Sequence, residues 1–409
     1  MINLKPYLTF KLAIISLLFS CGISSAQDFD FIDLFPQKEG VGCYRIPAII
    51  SAPNGDLITA IDERIPSCAD LRDNKNINLV LRRSSDDGKS WTPIQRIVDY
   101  PMGQSASDPS MIVDRETNTI FMFFNYMDLE REPNIYYLKY IKSEDNGKTW
   151  SPPVDITSQI SKPHWHKDFK FITSGRGIQT RKGTLLHTLV NLDHGLHLFK
   201  SDDHGKSWQL IDTPLIPGDE SKVVELSDGS WMINCRLNRI GHRQVFVSSD
   251  EGITWASRPD KTLIDSGCNA GIIRWTDKKT NDTKGVLLFV NANHPTKRKN
   301  LCLRISKDDG KTWSAPKLLY DGPAAYSSIS MLHNSDLGIV FEKDDYTQNS
   351  FVRINREQIL YSLDEVQGET CSIPRSSLPI LRQTIKNILH KKWLTQRREA
   401  KVYESFLYF

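Results

Sequence analysis

The stretch SSDDGKSW, residues 84–91, is the first of five copies of one octapeptide, and this repeat decides the fold that the sequence predicts. All copies follow the pattern Ser-x-Asp-x-Gly-x-Ser/Thr-Trp. The other four are SEDNGKTW at 143–150, SDDHGKSW at 201–208, SSDEGITW at 248–255 and SKDDGKTW at 306–313. Their tryptophans are 59, 58, 47 and 58 residues apart. This spacing indicates a structural unit that recurs along the chain.

Each octapeptide has the chemistry of a hairpin turn. The Asp side chain accepts hydrogen bonds from the turn backbone, the Gly supplies a positive φ, and we expect the Trp to fold back over the turn. Runs rich in β-formers, such as 79–81 and 245–247, precede most copies, so each copy is predicted to join two antiparallel strands. A calcium loop is the alternative, but the 12-residue ligand pattern that ends in Glu is missing, and we expect no metal.

A period near 58 residues fits one four-stranded antiparallel sheet with its loops. Residues 27–368 have room for six such units, and few stretches before the C-terminal tail have the pattern of an amphipathic helix. Radial repetition of four-stranded sheets is one of the few ways to protect sheet edges. The sequence therefore predicts an all-β fold, a six-bladed β-propeller, over residues 27–368.

The N-terminus has the pattern of an export signal over residues 1–26. Lys5 and Lys11 precede an apolar run at 12–19, and small residues end at Ala26. The apolar run is too short to cross a bilayer as a stable helix. We expect an exported protein; an uncleaved anchor and a lipoprotein site at Cys21 are the alternatives.

The C-terminal tail, residues 369–409, differs in composition from the rest of the chain. From residue 371 to 409 it has eight Lys or Arg against two Glu, whereas the whole chain carries only +3. Apolar residues between 380 and 389 show helical spacing. The tail is predicted to be a short helix, either docked on the protein or in contact with a membrane surface. The small net charge gives no support to nucleic-acid binding.

The cysteines form no CxxC pair of the kind that binds zinc. Export would permit disulfides, but the spacing does not indicate a pairing, and each cysteine is expected to be a small buried residue. Besides Cys21 they are Cys43, Cys68, Cys235, Cys268, Cys302 and Cys371.

The five octapeptides, hereafter Asp boxes, together with the motif Tyr44-Arg45-Ile46-Pro47, resemble the sialidase (neuraminidase) superfamily. The resemblance covers nearly all of the chain except the signal and the tail. It implies a six-bladed propeller and an exo-α-sialidase that removes terminal sialic acid from glycans, with no cofactor. Asp boxes alone are weak evidence for activity, so the prediction depends on finding the catalytic positions around them.

The resemblance also implies three arginines that bind the substrate carboxylate. Planar guanidinium groups suit a carboxylate, and several can share one anion. Arg45 matches the first; Arg243, seven residues before Asp250 of the fourth Asp box, is predicted as the second; Arg298 is predicted as the third. The alternative for each is a solvated surface arginine.

A carboxylate nucleophile would be repelled by the carboxylate of sialic acid, and the family has a tyrosine there instead. Tyr326, in GPAAYS at 322–327, resembles that nucleophile. A free phenol has a pKa of about 10 and needs a base beside it. Glu225, in VVEL at 223–226, is predicted to be this base. A core aromatic and a charge at a strand edge are the respective alternatives.

The remaining predicted residues lie on two loops. Asp70, six residues after Arg64, resembles the family's general acid, which protonates the leaving oxygen. Arg64 would then contact the sugar, and Asp73 is the alternative acid on the same loop. Asp108, in Ser-Asp-Pro, is predicted to contact the sugar near its 4-position, although a turn residue before Pro has the same pattern.

Two other functions are compatible with parts of this pattern. A non-catalytic sialic-acid-binding propeller would keep the arginines but lose Tyr326 or Asp70, and both are present. A trans-sialidase would use the same residues with an added aromatic platform for the acceptor, which the sequence does not locate.

Overall fold

The computed structural model describes residues 29–279 and 286–366, and most of the regular structure in these ranges is β-strand. The predicted signal, Cys21, Cys371 and the tail at 369–409 lie outside the described residues. In chain order the strands are β1 (Ile32–Asp33), β2 (Cys43–Ser51), β3 (Leu57–Ile65), β4 (Asn76–Ser84), β5 (Gln95–Val98), β6 (Gln104–Asp114), β7 (Thr119–Asp128), β8 (Tyr137–Ser143), β9 (Val154–Asp155), β10 (Lys170–Ile172), β11 (Gly175–Arg176), β12 (Ile178–Gln179), β13 (Leu185–Asn191), β14 (Gly195–Ser201), β15 (Gln209–Leu215), β16 (Ser221–Glu225), β17 (Trp231–Cys235), β18 (His242–Ser248), β19 (Ala256–Ile264), β20 (Gly271–Arg274), β21 (Leu287–Ala292), β22 (Lys299–Ser306), β23 (Lys317–Met331), β24 (Leu337–Lys343) and β25 (Gln348–Ile354).

Helices are few within the same ranges. The α-helices are α1 (Thr157–Ile160) and α2 (Arg356–Val366), and Pro163–Trp165 forms one 3₁₀ turn. Residues up to Ile359 form one compact unit; of the second unit the structure describes only residues up to Val366, in α2. No helix in the described part of the chain is long and apolar enough to cross a membrane.

The strands form six antiparallel sheets, the blades, each with four strand positions. The blades are β2–β5, β6–β9, β10–β15, β16–β19, β20–β22 with the first half of β23, and the second half of β23 with β24, β25 and β1. In the third blade β10, β11 and β12 together occupy the innermost position. The innermost strands of the first and last blades, β2 and β23, contact each other and close the ring. The predicted six-bladed propeller is thereby confirmed.

The ring is also closed by the sequence order of the last blade. The N-terminal strand β1 is its outermost strand, paired with β25 through Ile32 opposite Phe351. The blade thus combines segments from the two ends of the propeller. Hydrogen bonds of the sheet hold the two ends together, and the short β1 is the edge strand of this blade.

The propeller has two different faces because strand direction alternates. On the front face the innermost strands begin and the second strands end; on the back face the third strands end. Ser84, which ends the third strand β4, pairs with Leu57 at the start of β3, so the first Asp box lies on the back face. Arg45, near the start of β2, and Arg64, near the end of β3, lie on the opposite face, the front.

The Asp boxes have the predicted turn chemistry. In the first box the Asp86 carboxylate accepts hydrogen bonds from the Ser90 backbone at 2.9 Å and from the Ser84 and Ser90 hydroxyls. These bonds hold the pKa of Asp86 down to about 2. Gly88 has a φ of +85°, and the Trp91 indole donates to the Gly88 carbonyl at 3.1 Å. The turn's own donors thus occupy both oxygens of the Asp86 carboxylate.

The box tryptophans also contribute to packing between blades. Trp208 of the third box lies edge-on to Phe121 and Phe123 of the second blade, with ring centroids 5.6 and 5.1 Å away. Such edge-to-face pairs contribute about 0.5–1.5 kcal/mol each beyond the apolar area they bury. Trp91 of the first box makes the same kind of contact with Phe351 of the last blade, with ring centroids 5.2 Å apart.

Candidate active site

The front ends of three innermost strands carry β-bulges. The register shifts between Arg45 and Ala48 in β2, between Ser107 and Ser110 in β6, and between Ala324 and Ser327 in β23. Bulges turn side chains out of the regular alternation and are common beside active sites. The shifts include Asp108 and Tyr326 and begin directly after Arg45, so all three residues lie at interruptions of the regular ladder on the front face.

Tyr326 and Glu220 form the centre of the site. The Tyr326 hydroxyl donates to the Glu220 carboxylate at 2.5 Å and accepts from Arg236 Nη1 at 3.0 Å. Burial, followed by the Glu220 charge, raises the pKa of the Tyr326 phenol well above its usual value, while Arg236 and Arg298 act to lower it. The resting phenol is therefore protonated, with a base in place to receive its proton.

Three arginines surround this tyrosine. Arg236 contacts the hydroxyl, and the guanidinium carbons of Arg45 and Arg298 lie 5.9 and 5.3 Å from the centre of the Tyr326 ring. Arg236 also forms an ion pair with Glu220 and donates to Asn238 at 2.8 Å. The structure thus brings the predicted Arg45, Arg298 and Tyr326 together, and adds Arg236.

Glu342, a fully buried carboxylate that the sequence prediction missed, holds this group in place. It accepts from Arg45 Nε at 2.5 Å, from the Ile46 amide at 3.0 Å and from the Tyr326 amide at 3.1 Å. Burial opposes the charge on Arg45, but Glu342 outweighs this effect and raises the Arg45 pKa. Glu342 therefore fixes the Arg45 side chain and the β23 backbone at Tyr326.

The charges of the cluster leave room for one anion. Glu342 pairs with Arg45, and both Glu220 and Asp219 pair with Arg236. Within residues 29–279 and 286–366, no carboxylate lies within ion-pair distance of Arg298, whose guanidinium contacts the Tyr346 hydroxyl and the Gly267 carbonyl. The positive charge of Arg298 is therefore the one without a carboxylate partner in this part of the chain. The arrangement is suited to one substrate carboxylate beside the tyrosine hydroxyl.

Asp70 lies on a loop at the edge of the site. Its side chain is 83% exposed, and its carboxylate lies 2.6 Å from Arg64 Nη1, which is itself buried. Arg64 is fixed by Asp62 at 3.0 Å and by the Cys68 carbonyl at 3.0 Å. Asp73 points elsewhere, toward Arg72 at 3.5 Å. The buried Arg64 thus holds the Asp70 carboxylate where it is open to solvent, as a group that protonates a leaving oxygen would have to be.

Asp108 lies close to this pair. Its backbone amide donates to Asp62 at 2.9 Å, its carboxylate accepts from Asn125 at 3.0 Å, and its φ of +63° belongs to the bulge. Burial, then repulsion from Asp62 and Glu220, raises the pKa of Asp108 to about 8. The charges of Glu220, which contacts Tyr326, and of Arg64, which contacts Asp70, both affect the pKa of Asp108.

Glu225 does not contact Tyr326, and that prediction is corrected. Glu220 directly precedes β16 and Glu225 ends it, so the two lie about 16 Å apart at 3.3 Å per residue. Glu225 accepts from the Arg181 amide at 2.9 Å, on the back face. The flanking valines that favoured Glu225 belong to a buried strand rather than to a site.

Arg243 is also corrected. It is fully buried in the fourth blade, where it donates to Asn234 Oδ1 at 2.7 Å and to the Cys268 carbonyl at 2.9 Å, and lies 3.3 Å from Asp265. Each of its three side-chain nitrogens donates to a protein group, and the side chain is 0% exposed, so it is not placed to bind a substrate carboxylate. Arg236, seven residues earlier, occupies the predicted place.

Strand direction is the signal that could have found both residues. Residues on the front face lie where an innermost strand begins or where a second strand ends. Glu220 directly precedes the innermost strand β16. Arg64 lies at the end of the second strand β3, and Arg236 directly follows the second strand β17. The prediction of Arg243 counted residues back from Asp250, which lies in an Asp box on the back face, whereas the site lies on the front face. The Arg236 amide donates to the Glu220 carbonyl at 3.0 Å, so ordinary sheet pairing sets these two side by side.

The cysteines differ in part from the expectation. Cys43 and Cys68 form a disulfide with Cα atoms 5.4 Å apart. It ties the start of β2, two residues before Arg45, to the Asp70 loop. Cys235, Cys268 and Cys302 are buried and free, as expected. Among the described residues, no group of three or more His, Cys, Asp or Glu is arranged to hold a metal ion.

Comparison with known proteins agrees with this geometry. Residues 69–339 match the family model of the BNR repeat-like domain. The chain is 36% identical over 335 residues to a sialidase of Micromonospora viridifaciens and 32% identical over 331 residues to a sialidase of Bacteroides fragilis (strain YCH46). These matches cover 75% and 73% of this chain but 50% and 60% of those proteins, so the chain spans about half the length of the curated relatives it matches.

Among solved structures, the Hadza microbial sialidase Hz136 superposes with a TM-score of 0.71 at 28% sequence identity, covering 78% of this chain and 67% of that one. The chain belongs to the BNR repeat-like domain family, within the sialidase superfamily.

Proposed function

We propose that the protein is an exo-α-sialidase that hydrolyses terminal α-linked sialic acid from sialylated glycans with retention of configuration. The observation that supports this most directly is the Tyr326 hydroxyl, which donates to Glu220 at 2.5 Å while Arg45, Arg236 and Arg298 surround it. This combines a neutral nucleophile, a base and a site for one carboxylate.

In the first half of the reaction, the three arginines hold the substrate carboxylate. Glu220 takes the phenol proton as the Tyr326 oxygen attacks the anomeric carbon, and Asp70 gives its proton to the leaving glycosidic oxygen. The bond to the aglycone breaks and a sialyl–Tyr326 bond forms. The phenol avoids the repulsion that a second carboxylate would meet beside the substrate anion.

In the second half, Asp70 takes a proton from water as the water oxygen attacks the same carbon. The bond to Tyr326 breaks, and Glu220 returns the proton to the phenol. Two inversions give net retention. Asp70 acts as acid and then as base, which suits a carboxylate that is exposed to incoming water yet held by Arg64.

Asp108 is proposed to contact the sugar near its 4-position. Its pKa of about 8 means that its carboxyl is largely protonated at neutral pH, and it can therefore donate a hydrogen bond. The Asp62 carboxylate accepts from the Asp108 backbone amide, and Asn125 donates to the Asp108 carboxyl. The interaction would orient the ring rather than take part in bond breaking.

We also propose that the protein is exported. The N-terminal pattern of residues 1–26 supports this, and so does the Cys43–Cys68 disulfide, because disulfides persist mainly in oxidising compartments. Lipidation at Cys21 and membrane contact through the tail stay predictions.

The activity is tested with a fluorogenic α-sialoside, while NMR follows the anomer released first. We expect release of α-sialic acid and loss of turnover in Tyr326→Phe. No hydrolysis by the folded wild-type protein would contradict the activity, and initial release of the β-anomer would contradict retention.

A further inference from the structure

The turn between β24 and β25 places Tyr346 against Arg45 and Arg298, two of the three arginines around Tyr326. The guanidinium carbon of Arg45 lies 4.0 Å from the centre of the Tyr346 ring, which is the distance of a close cation–π contact. The Tyr346 hydroxyl accepts a hydrogen bond from Arg298 Nη1 at 3.3 Å. One side chain thus contacts arginines that come from the first blade and from the β21–β22 loop.

The backbone of this turn is strained. Asp344, Asp345 and Tyr346 have φ values of +51°, +52° and +71°, three successive non-glycine residues in the left-handed region. Such conformations persist only where the surrounding structure imposes them, and they concentrate at functional sites. Two-residue hairpin turns use positive φ at two positions, but three successive non-glycine residues in this region go beyond that requirement.

The strained turn is anchored to the strand that carries the nucleophile. The Asp344 amide donates to the Pro323 carbonyl at 3.0 Å, and the Asp344 carboxylate accepts from the Tyr320 hydroxyl and from Lys343. Pro323 and Tyr320 both belong to β23, as does Tyr326. The position of Tyr346 is therefore fixed relative to the attacking oxygen.

The two arginines depend on Tyr346 to different degrees. Arg45 is also held by Glu342 at 2.5 Å, whereas among the described residues the other hydrogen bond of the Arg298 guanidinium is to the Gly267 carbonyl at 3.3 Å. Removing the tyrosine hydroxyl would leave Arg298 with one long hydrogen bond. Arg298 is the arginine whose orientation needs Tyr346 most.

We infer that Tyr346 is a positioning residue that fixes Arg298 through its hydroxyl and covers Arg45 with its ring, so that both arginines are oriented for one substrate carboxylate before it binds. This inference rests on the proposed function. Arginines that are ordered before the substrate binds contribute equally to binding of the ground state and of the transition state. Loss of this ordering should therefore raise KM rather than lower kcat.

The test compares Tyr346→Phe, Tyr346→Ala and the control Tyr361→Phe, whose tyrosine is 64% exposed on α2. We measure kcat and KM with a fluorogenic sialoside and the affinity for free N-acetylneuraminic acid by calorimetry. Tyr346→Phe should raise KM and Kd about 3–10-fold with kcat within 2-fold, from the usual worth of one hydrogen bond. Tyr346→Ala should raise them about 10–100-fold because it also loses the cation–π contact.

A double-mutant cycle with Arg298→Gln separates positioning from a general structural effect. In the Arg298→Gln background, Tyr346→Phe should change Kd less than 2-fold, because the partner of the hydroxyl is gone. Full additivity, or a Tyr346→Phe variant that matches Tyr361→Phe, would overturn the inference. A wild-type protein that neither cleaves the sialoside nor binds N-acetylneuraminic acid would instead contradict the proposed function.

Discussion

The pair Glu220→Gln and Glu225→Gln tests which carboxylate serves Tyr326. Glu220 is 6% exposed and contacts both the Tyr326 hydroxyl and Arg236. Gln keeps the volume and one acceptor but cannot take the phenol proton. A positioned base contributes about 10²–10⁴ in rate, or about 3–5 kcal/mol of transition-state stabilisation. We expect kcat/KM of Glu220→Gln to fall by about that factor.

The same change also affects stability. Breaking a buried ion pair costs about 3–5 kcal/mol when the remaining charge has no partner. Arg236 retains Asn238 at 2.8 Å and Asp219 at 3.7 Å, so the loss should lie below that range. Thermal melting and urea titration of Glu220→Gln will show whether the variant is folded at the assay temperature, so that lost activity is not mistaken for unfolding.

Glu225→Gln is the matched control on the same strand. Its partner Arg181 is 60% exposed, and ion pairs of this kind contribute about 0–1 kcal/mol. We expect kcat/KM within about 2-fold of wild type. If Glu225→Gln lost activity and Glu220→Gln kept it, the assignment of the base to Glu220 would be refuted.

Three further outcomes are expected. Asp70→Ala should lose far more activity on natural sialosides than on aryl sialosides with a good leaving group, which needs little protonation; equal losses would argue against an acid role. Cys68→Ser should lower the free energy of unfolding by about 3.5 kcal/mol, the loop-entropy value for a 25-residue separation, and raise KM as the Asp70 loop loosens; a melting temperature equal to that of the wild type would exclude this. Asp108→Asn tests how the free energy of unfolding depends on pH. Because burial raises the pKa of folded Asp108 to about 8, the wild type should lose stability as pH rises from about 4 to 8, and the variant should lack this contribution in urea unfolding. Parallel plots of unfolding free energy against pH for the two proteins would show that Asp108 is an ordinary carboxyl.

The fold could be predicted from the sequence because its signal is repeated. Five Asp boxes mark five of the six blades, the length of residues 27–368 leaves room for the sixth, and each box encodes its turn locally through an Asp, a Gly and a Trp. Such local chemistry does not depend on distant residues. The closure of the last blade by β1 carries no comparable motif and becomes visible only in three dimensions.

The site was predictable only where a short motif marks the position. Arg45 lies in YRIP, and Tyr326 in GPAAYS. Glu220 and Arg236 have no such motif, since their pairing follows from the ends of β16 and β17. Spacing from a back-face turn therefore led to Arg243 instead of Arg236.

Glu342 and Tyr346 illustrate a second limit. Glu342 follows the apolar run Leu337–Phe341 in β24, and its fully buried carboxylate is paired with Arg45, 297 positions away in the sequence. Tyr346 acts through a turn whose conformation is imposed by β23. Contacts of this kind depend on ring closure, which joins the first blade to the last.

The central claim is that Tyr326 is the nucleophile, and covalent trapping tests it most directly. A mechanism-based fluorinated sialic acid slows breakdown of the intermediate, and peptide mass spectrometry then locates the adduct. The mechanism proposed above predicts one sialyl group on Tyr326, and no labelling of Tyr326→Phe. An adduct on another residue, or sustained labelling of Tyr326→Phe, would contradict it.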